Sequence, residues 1–208
     1  MSRTSFQTYT NTALNATGIA SAVAYSGGGY ALAAAGAGDN LGHLITFYNR
    51  SGTSHTGQTI TFTGTDENGN PQSETLTGPA GTSTITTIGH YKTLTRVTAS
   101  ATTGSDAFDI GWTADAVGAH SHPELDRVPV INVEVFCVVP TTGPTYSLDY
   151  TCDATPAGLV ANSWLQHYFI KAQNSTCDGQ ITIPVRAMRL HFTVAGQVNM
   201  TIVEPFHA

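Results

Sequence analysis

The chain has 208 residues, 40% of them hydrophobic and only 11% charged, with a net charge of −6. That is enough apolar material for one large or two small cored domains, and the lack of any basic cluster excludes the electrostatic footprint of nucleic-acid binding. No apolar run approaches the length of a membrane span, so neither nucleic acid nor membrane is expected as a partner.

In chain order, residues 1–38 show little periodicity and predict an irregular N-terminal arm. Within it, Gly27, Gly28 and Gly29 precede Tyr30 and an Ala/Gly-rich passage. No Lys-Ser/Thr follows and no helix opens, so a phosphate-binding loop is excluded and an extended or loose segment is expected. The opening residues MSRTSFQTYTNT have no apolar signal core, so synthesis and assembly in a cytoplasm are expected.

Residues 41–48 (LGHLITFY) predict a strand. Ile60 and Phe62 then alternate with Thr59, Thr61 and Thr63, the period of a strand with one buried face. Asp66 to Pro71 supply turn formers, including Asn68-Gly69, and Leu76 anchors the returning strand of a β-hairpin. Gly78-Pro79-Ala80-Gly81 is a second turn, followed by a short strand over 82–87. Ile88, Tyr91, Leu94 and Val97 recur every third residue, which predicts an irregular turn at residues 89–91 and a strand over 94–100. Phe108, Ile110 and Trp112 form a closing strand with a heavy apolar face, Trp112 belonging to the core.

Residues 114–123 (ADAVGAHSHP) break the pattern and predict a linker. Beyond it Ile131, Val133, Val135, Cys137 and Val139 share one face, as do Tyr146, Leu148, Tyr150 and Cys152 in the next strand. Residues 164–170 predict another strand. Apolar positions switch from odd (Ile181, Ile183, Val185) to even (Met188, Leu190, Phe192, Val194), which predicts a bend at Arg186-Ala187. Val198, Met200 and Ile202 form the last strand.

No segment has sustained helical periodicity. Regular short strands separated by turns predict an all-β protein of two tandem small β-sandwich domains, jelly-roll or immunoglobulin-like, over 39–117 and 119–208. Cys137, Cys152 and Cys177 are an odd, widely spaced set without a CxxC motif, which fits reduced thiols rather than a disulfide framework. Cys152 and Cys177 flank one segment and are candidate neighbours.

About residues 57–203 resemble structural proteins of tailed bacteriophages. The likeness rests on Gly64-Thr65-Asp66, Gly69-Asn70, Gly78-Pro79, Tyr91 and Lys92-Thr93-Leu94-Thr95 in the first half. In the second half it rests on Tyr146 to Asp153, on Trp164 with His167, and on Pro184 to Leu190. The resemblance implies a capsid decoration (cement) protein, typically homotrimeric, that binds the major capsid protein on the outer capsid surface. It would stabilise the shell against internal DNA pressure by interface burial and not by chemistry. Tyr25 and Tyr30, on the arm, are the side chains expected to grip the capsid. Alternatives are a receptor-binding, carbohydrate-binding or fibre-attachment module, and a neck or tail component.

Other candidate sites are few. His120, His122 and Glu124 would share one face of an extended segment and could hold a transition metal, although a solvated linker explains them more simply and no metal or cofactor is expected. Trp164 and Tyr168 would form the sugar platform of the carbohydrate alternative. Asp66, Glu67 and Asn68 offer oxygen ligands for calcium but lack the further spaced acids, and turn formation accounts for them. Glu74 with Asp109, or Asp149 with Glu134, are the pairs of acids that glycoside hydrolysis would need. Their places on alternating strands read as outward faces, and no enzyme activity is expected.

Overall fold

The computed structural model describes residues 3–119, 133–140, 143–152, 164–183 and 185–204. Among these the protein is all-β, and its sheets are antiparallel. In the first part of the chain lie β1 (Arg3–Asn11), β2 (Asn15–Val23), β3 (Tyr25–Ser26), β4 (Gly29–Tyr30), β5 (Gly42–Asn49), β6 (Thr59–Thr65), β7 (Pro71–Thr77) and β8 (Thr84–Tyr91). Then come β9 (Thr93–Ala99), β10 (Phe108–Val117), β11 (Val133–Val138), β12 (Thr145–Thr151), β13 (Leu165–Gln166), β14 (Cys177–Ile181), β15 (Ala187–Val194) and β16 (Gly196–Glu204). They belong to two compact units, one of Thr12–Ala116 and one of Met1–Asn11 with Val117–Ala208.

In the unit of Thr12–Ala116, β10, β5 and β8 lie side by side, with β2 paired to β10, while β7, β6 and β9 form a second sheet. Both sheets contribute to one hydrophobic cluster. Ile45 and Phe47 from β5 and Phe108 and Ile110 from β10 join Ile60 and Phe62 from β6 and Leu94 and Val97 from β9. Period-2 alternation turns the apolar side chains of β5 and β6 inward, whereas β9 buries Leu94 and Val97 three residues apart, across the register shift of its ladder with β6 at Thr63–Gly64. The hairpin of β6 and β7 pairs Thr59 with Thr77 through to Thr65 with Pro71. Asp66 builds its turn: Oδ1 accepts the N–H of Asn68 and Asn70 at 2.9 and 2.8 Å, and Gly69 takes a φ of 87° that a side chain would resist.

In the other unit, β1, β16, β11 and β14 form one sheet, and β13, β12 and β15 lie together in another. Strand β11 alternates cleanly: Val133, Val135 and Cys137 are buried, and Glu134, Phe136 and Val138 are exposed. Val198, Met200 and Ile202 of β16 are buried in the same way.

Several expectations change. The irregular arm over 1–38 does not form: Arg3 to Asn11 pair with β16 from Glu204 to Gly196, and β2 pairs with β10. Polar side chains hid these strands, because β1 draws its order from a ladder with the far end of the chain. The Gly/Ala passage is packed rather than loose. Ala33 and Ala34 N–H both reach Ile19 O, and Leu94 N–H donates to Ala35 O at 2.6 Å. A Cβ on Gly36 would sit 2.6 Å from Lys92 O, so the small residues permit a close backbone approach. Gly27 and Gly28, at φ 60° and 89°, close the β3–β4 hairpin.

The turn expected at residues 89–91 is strand, because β8 runs on to Tyr91. Glu74 Oε1 and Oε2 accept the N–H of Ile88 and Gly89, so side chains of β7 satisfy this irregular stretch of β8. Residues 114–117, expected in a linker, complete β10. The strand expected over 164–170 shrinks to Leu165–Gln166.

Candidate functional site

Beyond β13 the chain leaves the ladder but not the sheet. His167 N–H donates to Leu148 O at 2.8 Å, Leu148 N–H donates to Ile170 O at 2.9 Å, and Tyr146 and Gln173 exchange both backbone bonds. Residues 167–173 are therefore tied along the edge of β12 at each end and in the middle.

Two inward side chains hold this segment. His167 is 5% exposed. Its Nδ1 accepts the Ile170 N–H at 3.1 Å, which leaves the proton on Nε2 to be donated to Gln180 O at 3.2 Å. Ile170 is fully buried. Both lie against Gly179 of β14, where a Cβ would come within 2.6 Å of the imidazole and 3.0 Å of the Ile170 Cδ1. Ala172 takes a φ of 50°, which costs a residue with a Cβ about 1–2 kcal/mol, and Ser147 Oγ accepts its N–H. Gln173 Nε2 donates to Phe169 O at 2.7 Å.

What this scaffold presents is apolar. Tyr168 is 85% exposed and Phe169 68%, and their rings meet edge to face at 5.0 Å. Leu165, two residues before His167, is half exposed. Scattered exposed apolar side chains need no explanation, but a run of three on one braced segment is the form of a contact surface. Their side-chain entropy is low for their size, since an aromatic ring has only two rotors to fix on binding.

The sequence-predicted residues fall elsewhere or separately. Tyr30 is 5% exposed and packs edge-on against Phe47 and Phe108, so it is a core residue and has no surface with which to grip a partner. Tyr25 is partly buried against Tyr30, and its hydroxyl donates to Ala99 O at 3.3 Å. Trp164 and Tyr168 are not brought into one platform. The Arg189 guanidinium covers the Trp164 ring at 4.2 Å, whereas Tyr168 stands beside Phe169. Trp112 is buried, as expected. His120, His122 and Glu124 lie outside the described residues.

The candidate acids have structural partners. Asp66 spends both oxygens on its own turn, with Asn70 Nδ2 on Oδ2 at 3.0 Å. Asp109 receives Arg50 at 2.7 Å and the Ala22 N–H at 2.9 Å. Asp149 lies 3.7 Å from Arg189. Cys152 is not the neighbour of Cys177: that position belongs to Cys137, directly opposite on β11. Tyr168 was a sequence candidate, but only beside Trp164; its partner Phe169 was missed because residues 164–170 look like an alternating strand. Only the adjacency of two aromatics, which alternation would place on opposite faces, could have marked it.

No protein-family model matches the chain, and no curated protein matches it. Among solved structures, one of infectious bursal disease virus, Gx strain, is similar over 100% of this chain and 71% of the other, at 10% identity and a TM-score of 0.21. At that TM-score the likeness carries no argument about fold or function.

Proposed function

We propose that this protein is a virion structural protein of a tailed bacteriophage, a head decoration (cement) protein that binds the outer surface of the capsid. The observation that carries the reading is the braced segment of residues 165–173, which holds Leu165, Tyr168 and Phe169 out in solvent. A free soluble chain gains nothing by fixing two aromatic rings in water, whereas an interface gains a preorganised anchor. The low charge, 11% of residues, supports the same reading, since uncharged surfaces cost less to desolvate when several faces are covered together.

On this reading the partner is the major capsid protein, the assembly a homotrimer, and each unit a small sandwich of the jelly-roll or immunoglobulin kind. The mechanism is burial. A standard interface covers about 1,600 Å², and repeated copies on one shell add avidity without new contacts. Tyr168 and Phe169 replace Tyr25 and Tyr30 as the side chains that grip. A second reading, carbohydrate binding, is favoured by the exposed Tyr168 ring alone.

The test is cosedimentation of the purified protein with expanded, DNA-free heads that lack it. Saturable binding at a fixed ratio to the major capsid protein, with heads surviving more heat, is the expected result. Failure to bind heads, together with a ring-sized native mass or a glycan-array hit lost in Tyr168→Ala, would overturn it in favour of a neck, tail or receptor-binding role.

A further inference from the structure

Cys137 of β11 and Cys177 of β14 face each other directly in an antiparallel register. Cys137 lies on the buried side of β11 with Val133 and Val135, and the alternation of β14 turns Cys177 to the same side as buried Ile181. Residues directly opposite on one face of an antiparallel pair have Cβ atoms about 4.5–5.5 Å apart. A disulfide needs about 3.5–4.5 Å, a small approach for β14, which is the last strand of its sheet. Both sulfurs are free thiols. Tyr146 completes the cluster, its hydroxyl 3.1 Å from Cys177 Sγ and 2.8 Å from Ser175 O.

We propose that Cys137 and Cys177 are a reactive dithiol that closes reversibly to a cross-strand disulfide, with Cys177 reacting first with a low-molecular-weight disulfide and Cys137 resolving it. Access sets the order, since Cys177 is half-buried and Cys137 fully buried. Electrostatics sets the same order. The neighbouring Cys137 thiol holds Cys177 below the usual thiol range, and that same neighbour together with burial pushes Cys137 up. The Tyr146 hydroxyl, which donates to Ser175 O, stands close enough to turn its proton toward a Cys177 thiolate.

The exchange balances with oxidised glutathione or a similar small disulfide. The Cys177 thiolate attacks one sulfur of the reagent, the reagent's S–S bond breaks, and one small thiolate leaves with the electron pair. Cys137 then loses its proton and attacks Cys177 Sγ, expelling the second small thiolate. Two protein thiols and one small disulfide become one protein disulfide and two small thiols. The bond encloses the chain between positions 137 and 177 and ties down β14, whose Gln180 carbonyl receives His167. A loop of that length raises the folded-to-unfolded ratio by about several hundredfold in the chain-entropy account. This inference does not depend on the function proposed above.

The test uses the full chain with Cys152→Ser, which removes the exposed third cysteine and leaves Cys137 and Cys177. The folded protein is equilibrated with oxidised glutathione, and free thiols are counted. The expected result is loss of both thiols in a monomer, a tryptic peptide of residues 128–171 joined to one of 172–186, and a higher unfolding midpoint that dithiothreitol reverses. Two thiols remaining at equilibrium, a mixed disulfide that persists on Cys177, or only dimers linked between chains would each overturn the proposal.

Discussion

Replacing His167 by alanine should release the aromatic segment without touching the aromatics. The imidazole is 5% exposed and makes two hydrogen bonds, from Ile170 N–H at 3.1 Å and to Gln180 O at 3.2 Å. Removing it forfeits about 1 kcal/mol per bond and leaves a buried N–H without a partner, a further cost of about 1–3 kcal/mol. The gap over Gly179 adds a cavity term of about 1 kcal/mol. We therefore expect a loss of about 4–6 kcal/mol, a large part of the roughly 5–15 kcal/mol that holds a small domain together. Urea unfolding gives the total. Trp164 and Trp112 lie in different units, so single-tryptophan variants report each unit separately. Hydrogen exchange should show the Ile170 and Gln173 amides losing protection. The matched control is Tyr168→Ala with Phe169→Ala, which removes exposed groups and should move stability by no more than about 0.5 kcal/mol. An unchanged midpoint and unchanged protection in His167→Ala would refute the idea that this histidine braces the segment.

Two further predictions concern the unit of Thr12–Ala116. Burial alone would raise the Asp39 carboxyl, but hydrogen bonds from His43 and Thr12, with the His43 charge, outweigh it and hold the group at about 2. A carboxylate depressed below its unfolded value contributes its full stability above about pH 4 and loses it as pH falls toward 2. Asp39→Asn should flatten that acid limb and cost about 1–2 kcal/mol at neutral pH after solvent screening; an unchanged acid midpoint in chemical denaturation would contradict the assignment. Glu74→Ala should cost about 1.5–3 kcal/mol by urea titration, because Ile88 and Gly89 lose a charged acceptor at 2.8 and 3.0 Å. Glu74→Gln, which keeps one acceptor oxygen, should recover about half of that loss, and equal losses in the two variants would count against the account.

Where the sequence was readable, one period decided the matter. Ile60 and Phe62 alternate with threonines, Phe108, Ile110 and Trp112 with Asp109 and Gly111, and Val133, Val135 and Cys137 with exposed Glu134, Phe136 and Val138, and each set lies buried in a strand. The Asp66 turn was readable because its chemistry is local. Strand β1 was not, because TSFQTYT carries no run of apolar residues and its order comes from Gly196 to Glu204, nearly two hundred positions away, and β2 was not, because its ladder with distant β10 is interrupted by register shifts. Tyr30 looked like an exposed side chain because its glycine neighbours suggest looseness, whereas those glycines form a tight hairpin that delivers the ring to the core. Residues 164–170 misled in the opposite direction. Their composition suits a strand, but the buried His167 and Ile170 are three apart, the spacing of a bend that turns Tyr168 and Phe169 outward. The partner of Cys177 depended on the register of β11 with β14, which spacing along the chain does not encode.

The central claim is that Tyr168 and Phe169 are the grip on a capsid lattice. The most direct measurement compares wild-type protein with the Tyr168→Ala/Phe169→Ala double variant, both shown to unfold at the same urea concentration, in quantitative binding to DNA-free heads that lack the protein. Aromatic anchors at an interface centre cost about 2–4 kcal/mol on truncation, so the account predicts saturable wild-type binding and a loss of affinity of about 30-fold or more in the variant. Equal binding by both proteins, or no binding by either, would contradict it.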